Sequence, residues 1–189
     1  REVAETGGAD VLFNNAGGAL GTEPVERASN DDWRWMLEVN VIGLRTVTAA
    51  LLPVLRDAAR AHGWASIVNL TSTAGLAAYP GGGGYNAAKY AAHAVTEVLR
   101  LAGEPIRVME VAPGLVHTEE FTLNRLRGDA AGAAKPYADV VPLTAEDVAG
   151  VVASALEQPP HVNQDLIVLR PVAQSSVFHT HRGPLAPKE

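Results

Sequence analysis

Within the stretch Asn69 to Lys89, NLTSTAGLAAYPGGGGYNAAK, three side chains have the types and spacing to move a proton on and off an oxygen: Ser72, Tyr85 and Lys89. Tyr85 and Lys89 are four apart at the start of an Ala-rich helical pattern, and residues four apart on a helix share a face. A phenol with a pKa near ~10 is a poor base at neutral pH until a nearby cation favours the phenolate. Lys89, one turn on, supplies that cation. Ser72 follows an apolar run, Ala65 to Leu70, that reads as a buried strand. If the loop after it folds back, its hydroxyl reaches the same point and can donate to a substrate oxygen, polarising it beside the phenol. Asn40 falls in the middle of a long helical pattern, an unfavourable place for a side chain that competes for backbone hydrogen bonds.

The elements that must position these groups alternate along the chain. Asp10 to Phe13 is a short apolar run ending in Asn14-Asn-Ala-Gly-Gly18, a strand followed by a glycine turn. Ser29 to Asp32 fits a capping box, and Trp33, Met36, Leu37, Val41, Leu44, Val47 and Leu51 follow at helical spacing. That helix should run to about Arg60, with a kink or local break at Pro53. Ser66 to Leu70 is the second strand, Tyr85 to about Leu101 the second long helix, and Ile106 to Val111 a third strand closed by Ala112-Pro-Gly114. A polar segment from His117 to Tyr137 suggests a mobile flap. Thr144 to Asp147 is another capping box, opening a helix that ends before Pro159, and Asp165 to Arg170 is a last strand. Short apolar strands alternating with helices predict an α/β fold, a doubly wound parallel sheet covered on both faces. Ligands of such folds sit beyond the carboxyl ends of the strands, where Asn14 to Gly17, Ser72 and Pro113 to Thr118 all lie.

Bulk properties narrow the function classes. With 189 residues, the chain has room for one domain with a substantial core, and 47% hydrophobic against 19% charged residues describes a globular protein. A formal net charge of −6 gives no electrostatic reason to bind nucleic acid or an anionic membrane. No cysteine is present, which removes disulfides and thiolate metal sites and fits a reducing cytoplasm. No apolar run in the sequence approaches membrane-spanning length. His179 and His181 lack a plausible third ligand, so no metal site is expected. No G-x-S-x-G elbow surrounds Ser72, which weakens a serine hydrolase reading. Gly81 to Gly84 reads as a mobile wall of a substrate pocket rather than a phosphate cradle, and Trp33, Trp35 and Trp64 as packing or subunit contacts.

In order along the chain, Asn15-Ala16-Gly17, Val39-Asn40, Ser72, Tyr85-x-x-x-Lys89 and Pro113-Gly114 with Thr118 resemble the signatures of a classical short-chain dehydrogenase/reductase. The separation of Ser72 from Tyr85 is the family's usual one. The resemblance implies a Rossmann-like sheet and hydride transfer between a nicotinamide cofactor and an alcohol or carbonyl, since no amino acid supplies a hydride. It implies Tyr85 as acid/base, Lys89 as its electrostatic tuner, Ser72 as the group that polarises the oxygen and Asn40 as the holder of a water that links the lysine to solvent. Asn15, Ala16, Gly17, Tyr85, Lys89, Pro113, Gly114, Val116 and Thr118 would border the cofactor, Thr118 on its carboxamide. Asn15 would also brace neighbouring strands.

By the same resemblance the chain starts just upstream of the family's fourth strand, and residues 1–175 are the last two thirds of one Rossmann-type domain with a tail, 176–189. The glycine-rich turn that holds the pyrophosphate and the residue that separates NAD from NADP are both expected upstream of Arg1. The polypeptide by itself is therefore expected to bind cofactor weakly or not at all. Its carboxyl-terminal half is similar to bacterial NADP-dependent 3-hydroxy acid (serine-type) dehydrogenases, implying NADP, with NAD the alternative, and small hydroxy acids or semialdehydes. Arg125 and Arg127 could meet a carboxylate, although solvated surface arginines are the commoner outcome. Family members pair through their two long helices, which implies a homodimer or homotetramer. The competing reading is a non-catalytic family fragment that serves as an interaction or oligomerisation module.

Overall fold

Four apolar runs, spaced by helices, form one parallel sheet in chain order, β1 (Val11–Asn14), β2 (Ala65–Leu70), β3 (Ile106–Pro113) and β4 (Leu166–Leu169). The computed structural model describes residues 2–5 and 7–187. Registers align Leu12 with Ile67, and Ile67 with Val108, so one row of side chains crosses three strands. Successive residues of a strand face opposite sides. Ile67 and Val108 accordingly pack with Leu55, Ala58 and Ala59 on one face, whereas Val68, Met109 and Val111 pack with Val148, Val152 and Ala155 on the other. The near-continuous burial of β2 and β3 is what a sheet covered on both faces requires.

The helices follow their caps. After the short α1 (Glu2–Glu5), α2 (Asn30–Leu37) starts at Ser29, whose Oγ accepts from the Asp31 N–H at 3.2 Å. Asp32, expected to complete that box, instead pairs with Arg127 at 2.5 Å. A π-helical turn, Glu38–Ile42, joins α2 to α3 (Gly43–His62). The irregularity expected at Pro53 therefore lies at Asn40, and the chain stays helical through the proline. α3 ends at Gly63 in the left-handed conformation (φ 83°), which accommodates a residue without a β-carbon. By length and composition the helix Asn30–His62 is apolar enough to cross a bilayer, more than the sequence reading allowed. Its buried residues Met36, Asn40, Leu44, Thr48, Leu55 and Ala59 form one stripe, the pattern of an amphipathic core helix.

α4 (Gly83–Arg100) carries Tyr85 and Lys89, and β3 passes behind it. The segment expected as a flap contains α5 (Phe121–Arg125), α6 (Ala130–Ala134) and a 3-10 turn, Lys135–Tyr137. The Thr144–Asp147 capping box forms with both hydrogen bonds, at 3.1 and 2.8 Å, and opens α7 (Ala145–Leu156). The tail folds back through an antiparallel bridge between Gln174 and Thr180.

Candidate active site

Ser72 leaves the end of β2 and caps the 3-10 turn Thr73–Gly75, its Oγ accepting from the Ala74 N–H at 3.1 Å. That turn lies directly on α4. A β-carbon on Gly75 would stand 2.6 Å from the Lys89 carbonyl oxygen, so the turn reaches the helix because position 75 has no side chain. The close approach brings the Ser72 side chain beside Tyr85, whose phenol it influences. Tyr85 is 8% exposed and Lys89 6%, and the ammonium lies 5.8 Å from the centre of the phenol ring. The loop does fold back, and serine, phenol and ammonium lie near one another at the end of β2.

Electrostatics modify the expectation. Burial pushes the Tyr85 phenol up to about 12, against smaller lowering effects of Ser72 and Arg125. Burial likewise pushes the Lys89 ammonium down to about 8, opposed by the carboxylate of Glu110. The lowering anticipated from the lysine is not among the influences on the phenol, and desolvation, which disfavours whichever form is charged, sets the direction. At neutral pH the phenol is therefore protonated.

Asn40 is 2% exposed within the π turn. Its Nδ2 donates to the Met36 and Gly18 carbonyls, at 2.8 and 2.9 Å, while its Oδ1 accepts from the Gly18 N–H at 3.2 Å. The widened turn frees the side chain to grip the loop after β1; π-turns recur at functional positions for this reason. A β-carbon on Gly17 would lie 2.6 Å from Asn40 Oδ1 and 3.3 Å from Lys89 Nζ, so the Asn15-Ala16-Gly17 loop passes against both groups. Bracing of the strands, expected of Asn15, falls to its neighbour. Asn14 Nδ2 donates to Asn69 Oδ1 at 2.8 Å and to Thr48 Oγ1 at 3.0 Å, and Asn69 passes the connection to Thr96 on α4 at 2.9 Å. Asn15, Ala16 and Gly17 themselves are exposed.

At the third strand end, Ser72 Oγ donates weakly to the Pro113 carbonyl at 3.4 Å. Gly114 is shaped by Gln174: a β-carbon there would overlap the Gln174 amide, whose oxygen accepts from the Leu115 N–H at 2.8 Å. Val116 pairs with Leu143, and its carbonyl accepts from the Tyr137 hydroxyl at 3.1 Å. Thr118 is exposed, its Oγ1 accepting from the Phe121 N–H at 3.4 Å.

Arg125 is the group that spacing could not place. From α5 it donates to the Gly21 carbonyl, the Gly81 carbonyl and the Tyr79 hydroxyl at 3.0 to 3.1 Å, and its guanidinium lies 5.6 Å from the Tyr85 ring centre. Phe121 packs edge-on against the same ring at 5.7 Å. The flap thus roofs the phenol, and the arginine ties that roof to the glycine loop. Arg127 is occupied by Asp32. Of the glycines expected as a pocket wall, Gly83 and Gly84 are inside α4 and pack on Trp33, while Gly81 (φ 77°) makes the turn. Trp64 stacks under the Arg107 guanidinium at 5.5 Å, and no cluster of three metal-ligating side chains occurs among the described residues. An apolar cavity of about 770 Å³, lined by Val141, Leu143, Leu169, Val172 and Leu185, is separate from these groups.

Comparison with known proteins agrees with this geometry. Residues 1–126 match the family described as short chain dehydrogenase. An uncharacterized oxidoreductase of Mycobacterium tuberculosis is 48% identical over 169 residues, 88% of this chain and 65% of the relative; the chain thus spans about two thirds of that relative's length. The NADP-dependent 3-hydroxy acid dehydrogenase YdfG of Escherichia coli is 42% identical over 176 residues, 92% of this chain and 69% of that protein. The closed form of a serine dehydrogenase complexed with NADP+ superposes with a TM-score of 0.83 at 39% identity, covering 95% of this chain and 70% of that one. With the parallel sheet and the Ser72, Tyr85 and Lys89 cluster at its strand ends, these matches establish that the chain belongs to the short-chain dehydrogenase family.

Proposed function

We propose that this chain carries the proton-transfer centre of an NADP-dependent oxidoreductase acting on a small alcohol or carbonyl, with a 3-hydroxy acid or its semialdehyde as substrate. The observation that carries the reading is the meeting of the Ser72 hydroxyl and the Tyr85 phenol beside the buried Lys89. In carbonyl reduction the Tyr85 O–H gives its proton to the developing alkoxide, while Ser72 holds that oxygen in place. Arg125, over the phenol ring, favours loss of the proton and offsets part of the cost of burial, while the Lys89 ammonium stands beside the ring. The nicotinamide supplies the hydride when bound. The residues present fit that end of a dinucleotide. The Gly17 backbone runs against Lys89 and Asn40, and Gly114 leaves no space beside Gln174 for a larger residue. Asn15, Ala16, Gly17, Tyr85, Lys89, Pro113, Gly114, Val116 and Thr118 would line it. NADP is favoured over NAD by the names of the 3-hydroxy acid dehydrogenase relatives.

Arg125 supports an acidic substrate. Its hydrogen bonds go to two carbonyls and a hydroxyl, none of them negatively charged, and it stands over the reactive phenol. Exposed apolar side chains on the long helices, Trp35, Ile42 and Val47 with Tyr90 and Val98, support self-association. The test is absorbance at the reduced-nicotinamide band, with the full-length gene product and a panel of small hydroxy acids and aldehydes. NADP-linked turnover should appear with the acids and fall by about 10²-fold or more in Tyr85→Phe, with cofactor affinity unchanged. Full turnover by that variant would remove Tyr85 from the reaction.

A further inference from the structure

One buried carboxylate lies behind the site and takes no part in the chemistry described above. Glu110, on β3, has no solvent exposure. Its Oε1 accepts from the Thr71 hydroxyl at 2.6 Å, and its Oε2 lies 2.7 Å from His93 Nδ1. An ionised carboxylate persists in such a place only when it is paired and hydrogen-bonded. Both partners are coupled to the lysine by position. His93 follows Lys89 by four residues, on the face that also carries Tyr85. Thr71 follows Leu70, whose carbonyl accepts from Lys89 Nζ at 3.2 Å. The sequence Tyr85, Lys89, His93 and Glu97 is therefore one stripe along α4, running from the buried phenol to solvent, with Glu110 against its middle. His93 retains 24% of its side-chain exposure, and its Nε2 lies 3.7 Å from the exposed Glu97 carboxylate.

We propose that Glu110, held by Thr71 and His93, is a positioning residue that keeps the Lys89 ammonium charged, with His93 as the link through which solvent protons reach the buried pair. It extends the reading of Lys89 as the partner of Tyr85 by identifying the negative charge that compensates the lysine's burial. Other charged or titratable groups around the stripe are accounted for. Tyr85 lies one turn before Lys89 and has Arg125 of α5 over its ring. Arg100, further along α4, donates to the Val108 and Asp165 carbonyls and lies 3.8 Å from the Asp165 carboxylate near β4. From the π turn, Asn40 brings only a neutral amide. Glu110 is thus the carboxylate that acts on Lys89 from within the protein.

The sequence makes a direct test possible, because Lys89, Lys135 and Lys188 are its three lysines. In a chain with Lys135→Arg and Lys188→Arg, reductive ¹³C-methylation labels Lys89 and the amino terminus, and NMR follows the lysine signal against pH without cofactor or turnover. Glu110→Gln should move the Lys89 midpoint down by about half a pH unit or more, the size Coulomb's law gives over one helical turn even at water's dielectric constant. Glu110→Asp, which retains the charge, should restore most of it. Coincident midpoints in Glu110→Gln and the parent would overturn the proposal and leave the carboxylate a packing group. If circular dichroism shows that Glu110→Gln does not fold, Glu110→Met decides, because an apolar side chain there needs no hydrogen-bond partner. Its Lys89 midpoint should likewise lie below the parent's, and coincident midpoints would equally overturn the proposal. Neither result depends on whether Tyr85 is the acid, so failure of this inference and failure of the proposed reaction can be told apart.

Discussion

At the scale of single residues, burial decides the protonation states that matter. Lys89 has its pKa depressed from 10.5 to about 8, so between these values the unfolded chain binds more protons than the folded one. Stability therefore rises with pH across that window, and the cost of burying the ammonium is greatest below pH 8. Tyr85 is displaced the other way, from 10.0 to about 12, and its contribution falls as pH rises between those values. Urea denaturation at successive pH values should show parent stability gaining on that of Lys89→Met from about pH 8 to 10.5, and a constant difference would contradict the buried cation. Arg125 makes a second prediction at this scale. Arg125→Met should raise KM for a hydroxy acid about tenfold more than for the matching uncharged alcohol, as loss of a charge-assisted hydrogen bond implies. Equal effects on both would assign Arg125 to tying down the flap alone.

At the scale of elements, the site depends on how closely a 3-10 turn approaches a helix. The Thr73–Gly75 turn presents Gly75 to the backbone of α4 at Lys89, where backbone atoms rather than a pliable side chain would meet an added methyl group. Gly75→Ala should therefore cost about 1–3 kcal/mol, the range for overpacking in a well-packed interior. It should also separate Ser72 from Tyr85. Denaturant melts would measure the first effect, and a larger loss in kcat than Gly83→Ala would report the second. Gly83 is the control because an added β-carbon there meets the Trp33 and Val25 side chains at 3.0 and 3.2 Å rather than backbone. The π turn at Asn40 is the other element-scale device. It lets one helix both cover the sheet and turn an amide toward the loop after β1.

At the scale of the whole molecule, the sheet buries one row of side chains against α3 and another against α7, while the outer sides of the long helices keep apolar groups in solvent. Ile42 is 47% exposed, Val47 45% and Tyr90 42%, an arrangement that a second copy of the chain would cover. Sedimentation velocity should show a dimer or larger species, and the double change Ile42→Glu with Val47→Glu should shift it toward monomer without unfolding. A monomeric parent at micromolar concentration would rule out this surface.

Periodicity and spacing alone determined the four strands, the long helices, the Thr144 cap and the stripe that carries Tyr85 and Lys89. Each of these rests on interactions between residues near one another in the chain, where a period of two or 3.6 leaves a visible pattern. The tertiary structure decided what depends on distant segments meeting. It moved the brace from Asn15 to Asn14, since only the strand register shows which amide faces Asn69. It replaced an expected kink at Pro53 with a π turn at Asn40, and paired Arg127 with Asp32 while bringing Arg125 over Tyr85. It also reversed the expected direction of the Tyr85 shift, because desolvation depends on everything packed around the phenol and is not encoded in the spacing of Tyr85 and Lys89.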